Sequence, residues 1–459
     1  MPIGAEVYLW GSRIGVVVQN EASAPPRFAY DKDYIQSGIE LSPVAMPLSL
    51  QTYSFPNLRE ETFRGLPGLL ADSLPDRFGN RIIENYLAKQ GRLEESLTAV
   101  ERLCYVGNRG MGALEYVPQL GMGIPDSPID IDELAQLADE ILSDREIFKI
   151  KADSQAMEQL IKIGTSAGGA RAKALIAWNR ETGQIRSGQI DAGDGYSYWL
   201  LKFGEVKNNR DKDTEADEHG YSQIEFAYSL MCRDAGIDMT ECQLLKSKEG
   251  LHFATRRFDR CMDTGRKVHM HTLGGLAHFD FNEPGANSYE QAAQIMRKIK
   301  LAQSDVEQLF RRMVFNEAAR NYDDHVKNIS FLMDREGIWK LSPAYDMTFS
   351  YRPDSIWTSR HQMKINGKRD NLSVEDLQAC GRNMDISDKK IKEMIKNVTG
   401  VVKNWDKYAE YARVSEPMMQ NIKNLHRHLD YSAGYEPELT HLEKAKAECS
   451  QAYRTLSVT

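Results

Sequence analysis

The sequence predicts an α+β chain of two lobes, and three observations carry that expectation. Residues 1 to about 120 alternate short strand-like runs ("EVYLWG", "IGVVVQ", "FAYD", "GALEYVP") with a helical centre. From Lys162 to Asp259 the apolar period shifts toward two, and after about residue 285 the chain turns helical apart from "NISFLM" and "GIWKLSPAYDM". A β-rich half followed by a helix-rich half is the pattern of segregated layers with a cleft between them.

The elements follow in order. The helical centre, "LPGLLADSLPDRFGNRIIENYLAKQG", carries apolar residues at helical spacing and ends on Gly91. "GMGIPDSPIDID" reads as a linker or surface loop, and "IDELAQLADEILSD" as the helix after it. "ALIAWN" and "GQIRSG" form a hairpin around "RETG", "GYSYWLLKFG" a further strand and "LHFATRRFDR" another. Between those last two, Ser222 to Ala235 is a helix ending at Gly236. A helix opening on "SDVEQLF" has a capping box at Ser304 and Glu307 and buries Val306, Leu309, Phe310, Met313 and Val314. These boundaries suggest units at 1–120, 121–157, 158–260 and 261–459.

Bulk properties narrow the function classes. The chain has 459 residues, 41% apolar and 27% charged, the balance of a globular protein long enough for two or three domains. Its formal net charge of -8 gives no overall attraction to nucleic acid or anionic membrane. No apolar run approaches the length of a membrane span, and the start reads as strand–turn–strand without a signal peptide. Cys104, Cys232, Cys242, Cys261, Cys380 and Cys449 are scattered, which fits core positions in a reducing cytoplasm better than a zinc site or disulfide framework.

The chemistry concentrates in "NYDDHVKN", which crowds polar side chains between an apolar helix and the strand-like "ISFLM". Asp323 and Asn328 have the D-x-x-x-x-N spacing of a phosphoryl-transfer loop. One carboxylate deprotonates the attacking hydroxyl while the asparagine oxygen binds magnesium nearby. Lys327 lies between them, in reach of a γ-phosphate. Eighteen residues after Asn328, Asp346 in "LSPAYDM" stands where a second metal-binding aspartate would follow a hairpin, and Tyr345, Met347 and Phe349 argue for a buried setting. Its bland alternative is a solvated turn.

Upstream, "GTSAGGARAKAL" is a Gly-rich loop between strands that lets backbone N–H groups approach phosphate; the alternative is a flexible hairpin. Ala170 stands where a Walker lysine would be. Lys202 ends an apolar strand and requires an anionic partner. Glu225 is the candidate, although Ser222 and Glu225 equally fit a capping box. His269 and His271 share a strand face with no ligand set at metal spacing, so a structural role is expected. "KNNRDKDTEADEHG" and "DKKIKEMIKN" read as a loop and a solvated helix face.

Taken together, the ordered set resembles the HipA family of bacterial serine/threonine-protein kinases, toxins of toxin–antitoxin pairs. "FRGLPGLLADSLPDRFGN" and "YVGNRGMGALEY" are similar to its N-terminal signatures, "GTSAGGARAKAL" to its Gly-rich loop, "LLKF" to its lysine strand and "RRFDR" to its hinge. "RNYDDHVKNISFLM" and "LSPAYDM" are similar to its catalytic and metal loops.

The resemblance implies a protein-kinase-like fold with an extra N-terminal subdomain. It implies Asp323 as catalytic base, Asn328 and Asp346 as Mg2+ ligands, and Lys202 as the nucleotide lysine. It further implies a nucleotide site of Gly164, Ser166, Gly168, Gly169, Lys173, Phe258, Asp259 and His325, with ATP as cofactor. Ser166 becomes an autophosphorylation site whose charge would repel incoming nucleotide. The partners implied are a separate HipB-like helix-turn-helix antitoxin, operator DNA mainly through it, and a protein substrate such as an aminoacyl-tRNA synthetase. Two alternatives stay open: a silent pseudokinase acting as a corepressor subunit, and a small-molecule phosphotransferase on the same plan.

Overall fold

The computed structural model describes residues 3–21, 23–89, 91–92, 97–120, 128–136, 172–204, 220–248, 250–429, 431, 434–448 and 453–455. Its architecture is α+β and two-lobed, as the sequence predicts.

The N-terminal sheet is antiparallel, in order β4-β3-β2-β1-β5, formed by β1 (Ile3–Leu9), β2 (Ser12–Gln19), β3 (Arg27–Tyr30), β4 (Thr52–Tyr53) and β5 (Leu114–Val117). Alternation drives it: Ala5, Val7 and Leu9 turn inward on β1 while their neighbours face out. The expected helical centre is broken. A short turn of helix, Gly68–Ala71, stops before Pro75, and a second helix runs Arg77–Lys89. Proline disfavours helical backbone in the residue before it, which accounts for the break. Asp76 then caps the new helix, its side chain accepting from the Gly79 N–H at 2.6 Å.

The second sheet has six strands in order β14-β9-β10-β8-β6-β7. It contains β6 (Lys173–Asn179), β7 (Ile185–Ser187), β8 (Tyr196–Lys202), β9 (Cys242–Lys246) and β10 (Leu251–Arg256), with β14 (Tyr453–Thr455) adding in parallel to β9. The hairpin around Arg180 to Gly183 is present. The strand expected through Arg260 ends at Arg256, because Arg257 and Asp259 turn inward into an ion cluster.

A third, three-stranded sheet, β11 (His269–Thr272), β12 (Ser330–Met333) and β13 (Trp339–Leu341), packs in the helical half. The helix Gln303–Ala318 is its axis, with Val306, Leu309, Phe310, Met313 and Val314 all buried as predicted. The capping box expected there is absent. The N-cap is Ala302, two residues before Ser304, and Glu307 instead pairs with Lys390 at 2.7 Å. On the helix Asp388–Lys403, Ile391, Met394, Ile395 and Val398 are buried and the lysines between them exposed, the solvated face expected. Cys104, Cys232, Cys242 and Cys380 are buried, Cys261 only half-buried, and Cys449 lies outside the described residues. Among the described residues no helix is long and apolar enough to cross a membrane.

The N-terminal sheet unit is fastened to the helical half at the backbone. Gly68 lies so close to Gly275 that a Cβ on it would stand 2.0 Å from the Gly275 carbonyl oxygen. Its N–H donates to His278 Nε2 at 2.9 Å. Glycine is required there by contact rather than by dihedral angle.

Candidate active site

The catalytic-loop stretch begins where the helix Gln303–Ala318 ends. Arg320 takes a left-handed φ of 55° and reverses the chain, and the Asn321 N–H closes the turn on the Asn316 carbonyl at 2.9 Å. The two adjacent aspartates then part. The Asp323 side chain is 43% exposed and that of Asp324 1%. Asp324 accepts from Tyr289 Oη at 2.8 Å, His361 Nδ1 at 2.7 Å and the Gln362 N–H at 2.7 Å. Of the pair, Asp323 is therefore the one whose carboxylate reaches the surface.

Asn328 ends a single 3-10 turn, Val326–Asn328. Its Nδ2 donates to the Asp323 carbonyl oxygen at 2.8 Å, which reserves its Oδ1 as a ligand atom and fixes it to the residue five positions earlier. Asp346 follows β13 with φ 52°, a backbone state rare for non-glycine residues. Tyr345 joins the two loops, its Oη lying 2.5 Å from both the Lys327 carbonyl oxygen and Ser330 Oγ. Asp323, His325, Asn328 and Asp346 line one cleft. Among the described residues no three His, Cys, Asp or Glu side chains gather into a cation site. The Asn328 and Asp346 oxygens suit a hard cation such as Mg2+, which would take its remaining ligands from phosphate and water.

The second sheet reaches this cleft through Lys202, at the end of β8. Lys202 Nζ lies 2.5 Å from Glu225 Oε1 and also bonds Asp346 Oδ1. Burial alone would lower the Lys202 pKa, but Asp346 and Glu225 together hold it above its ordinary value. Burial would raise the Asp346 carboxyl, and Lys202 and Lys173 bring it below the usual range instead, so the carboxylate stays ionised. The ion pair decides the question left open for Glu225. Gly220, not Ser222, caps its helix, Tyr221–Asp234, and no side-chain cap bond forms.

In the β6–β8 register Lys173 stands directly opposite Lys202. Two ammonium groups so placed repel unless anions separate them. Asp346 and Glu225 serve Lys202, while Lys173 lies 3.3 Å from Asp76, both nearly buried. Burial raises the Asp76 carboxyl above its ordinary value even with Lys173 beside it.

The other expected positions divide. Gly164, Ser166, Gly168 and Gly169 lie outside the described residues, as does the charged stretch 207–219. Phe258 packs on Tyr345 with ring centroids 5.5 Å apart, which brings it beside the loop that carries Asp346. The Asp259 side chain turns inward. Its side chain is fully buried, accepting from Arg257 Nε at 2.8 Å, Arg257 Nη2 at 2.6 Å and the Gly112 N–H at 2.8 Å. It ties the hinge to the N-terminal unit and has no face left for a nucleotide. Lys327 Nζ sits 4.7 Å from the Phe281 ring centroid, and burial lowers its pKa against the pull of Asp72, Asp76 and Asp280. Its ammonium thus rests on Phe281, with Asp72, Asp76 and Asp280 as the carboxylates acting on it. His325 Nε2 stands 3.8 Å from Asp323 Oδ1.

His269 and His271 are both buried on β11. His271 Nδ1 meets Asp72 Oδ2 at 2.6 Å, and Asp72 also accepts from the Thr272 N–H and Oγ1 at 2.7 Å each. Sequence reasoning missed Asp72 and Asp76, whose only local signal was two acids in an otherwise apolar stretch. It also missed His361 and Glu317, which meet at 2.9 Å.

Comparison with known proteins bears on the family and the fold. Residues 5–117 match the family model for the HipA N-terminal domain, and residues 165–405 match the HipA-like C-terminal domain. HipA of Shewanella oneidensis MR-1, solved with HipB and operator DNA, superposes with a TM-score of 0.66. That match covers 96% of this chain and 99% of that one at 16% identity, which shows a shared fold. The Helicobacter pylori proinflammatory kinase CtkA matches 49% of this chain and 92% of that one at 12% identity. Its TM-score of 0.29 is too slight a likeness to bear on the fold. A relative in Sinorhizobium fredii (strain NBRC 101917 / NGR234), named "Putative kinase Y4dM", is 28% identical over 141 residues. The match covers 28% of this chain and spans 34% of that relative's length. With the C-terminal model alone matching more than half of its residues, the chain belongs to the HipA family.

Proposed function

We propose that the protein is a Mg·ATP-dependent serine/threonine protein kinase. The observation that carries this reading is a cleft lined by Asp323, Asn328 and Asp346, the last of them bonded to the lysine of the Lys202–Glu225 ion pair.

Each residue has a role set by its surroundings. Asp323, the outward member of its pair, accepts the hydroxyl proton of a serine or threonine as that oxygen bonds the γ-phosphorus and the bond to the β,γ-bridging oxygen breaks. ADP leaves with the electron pair, and Asp323 later returns its proton to solvent. Asn328 Oδ1 and the Asp346 carboxylate would hold Mg2+, which supplies charge neutralisation at the phosphates. Lys202 is held by Glu225 at the position where nucleotide oxygens would meet it, and Phe258 lies beside the metal loop for adenosine.

Membership of the family supports a toxin role, with a helix-turn-helix antitoxin as a separate chain and operator DNA bound chiefly through it. The solved relative from Shewanella is a complex of HipA, HipB and operator DNA from a toxin–antitoxin system. The reading extends to a cytoplasmic, translation-related substrate such as an aminoacyl-tRNA synthetase, and to autophosphorylation of Ser166 in the Gly-rich loop.

Intact-mass spectrometry before and after phosphatase and then Mg·ATP, with peptide mapping around Ser166, tests the proposal. A phosphate should return in wild type and not in Asp323→Ala, with both proteins folded. Undiminished labelling of Asp323→Ala removes the assigned base. No phosphate in any sample, together with no ATP-dependent thermal shift, replaces the kinase with a binding subunit.

A further inference from the structure

Beneath the catalytic loop lies a buried polar cluster that the proposed chemistry does not use. His361, on the segment that follows Asp346, is completely buried. Its Nδ1 is 2.7 Å from Asp324 Oδ2 and its Nε2 is 2.9 Å from Glu317 Oε2. A neutral imidazole has one N–H and one lone pair, so it would set that lone pair against a carboxylate. Only the imidazolium donates in both directions, and both distances are those of charge-assisted bonds.

The surrounding groups balance that charge. Glu317 also accepts from Arg427 Nε at 2.9 Å and Tyr322 Oη at 2.7 Å. Tyr322 lies against the His361 ring with centroids 4.2 Å apart and accepts from Arg320 Nη1 at 2.7 Å. Tyr289 faces Asp324 from the helix Tyr289–Lys298, and Arg369 Nε donates to the His361 carbonyl oxygen at 2.6 Å. Within the inner ring, two carboxylates face the His361 and Arg427 cations.

The cluster joins three elements that must agree for transfer to occur. Glu317 ends the helix that delivers the loop, Asp324 is next to Asp323, and His361 with the Gln362 N–H belongs to the chain leaving the metal loop. We propose that His361 is a positioning residue for phosphoryl transfer: its imidazolium, clamped between Glu317 and Asp324, holds the loop so that Asp323 is presented to the cleft. The inference rests on the kinase reading.

Burial alone would lower the His361 pKa; Asp324 and Glu317 overcome it and raise it to about 9. The raised value makes the clamp complete at neutral pH and lost as pH rises through about 9.

The test uses the dephosphorylated full chain with Mg·ATP and casein as a generic acceptor, following phosphate incorporation at saturating ATP from pH 6.5 to 10. The wild-type rate should fall with a midpoint near 9. Asp324→Asn, which preserves shape and removes one stabilising charge, should move that midpoint toward neutral pH. His361→Gln should be about 10- to 100-fold slower at neutral pH, with the KM for ATP unchanged and the alkaline fall abolished. A wild-type rate flat to pH 10 overturns the inference, as does His361→Gln at the wild-type rate. So does a midpoint that Asp324→Asn leaves in place, which would assign the fall to Lys327 and its facing Asp72, Asp76 and Asp280. A wild type that incorporates no phosphate into itself or casein at any pH removes the kinase reading and this role with it, an outcome distinct from an active enzyme with a flat profile.

Discussion

Substitution of Asp259 separates a structural carboxylate from a nucleotide contact. The side chain lies at zero exposure between Arg257 and Arg260, whose side chains are 1% and 6% exposed, and it also takes the Gly112 N–H. Removing one partner of such a pair leaves guanidinium charge buried, which typically costs about 3–5 kcal/mol. The pH linkage gives a second route to the magnitude. Burial would raise the Asp259 carboxyl, but Arg257 and Arg260, together with the Gly112 N–H, lower it to about 2. An unfolded aspartate titrates near 3.9, so the native carboxylate contributes about 2–3 kcal/mol. With a depressed folded pKa, that stability is present above about pH 4 and lost as pH falls toward 2. The two figures agree in order of magnitude. Asp259→Asn and Asp259→Ala should therefore lower Tm by roughly 2–5 °C at pH 7, while the difference from wild type shrinks toward pH 3. ATP affinity of the folded fraction, followed by fluorescent nucleotide titration at low temperature, should be unchanged. An unchanged Tm with ATP binding weakened tenfold would refute the reasoning and return Asp259 to the nucleotide site.

Three further outcomes follow from the same geometry. Lys202→Met should abolish the ATP-dependent thermal shift and reduce phosphate transfer by at least about 100-fold, since it removes a preorganised cation from the proposed phosphate site. Asp76→Ala should destabilise the protein by roughly 2–4 kcal/mol in urea unfolding, because it removes both a helix cap and the carboxylate beside Lys173. Gly68→Ala should cost about 1–3 kcal/mol, as its methyl group would meet the Gly275 carbonyl oxygen and force the backbones apart; a Tm equal to wild type would show that this joint yields freely.

What the sequence reveals here depends on how far away a residue's partner lies. Asp323 and Asn328 are legible because their relation is local: the five-residue spacing is itself the geometry, closed by the Asn328 bond to the Asp323 carbonyl. Lys202 is legible because a lysine on an apolar strand must find an anion, wherever that anion is. The two capping boxes fail for the opposite reason. Glu225 and Glu307 each sit three residues after a serine, yet Lys202 and Lys390 claim them from elsewhere in the fold. A charged partner offers a carboxylate more than one backbone N–H does. Asp259 shows the same competition from the other side, since "RRFDR" prints both of its arginines and only burial reveals that they consume it. His361 is hidden altogether, with Glu317 44 positions and Asp324 37 positions before it in the chain. Neither carboxylate has a local reason to need a histidine. The loop motif identifies which groups meet the substrate, but the direction in which Asp323 points is set by its neighbour Asp324, and Asp324 is held by residues no local pattern connects to it. The part of the site that specifies chemistry is therefore written in spacing, whereas the part that specifies aim is written in tertiary contact.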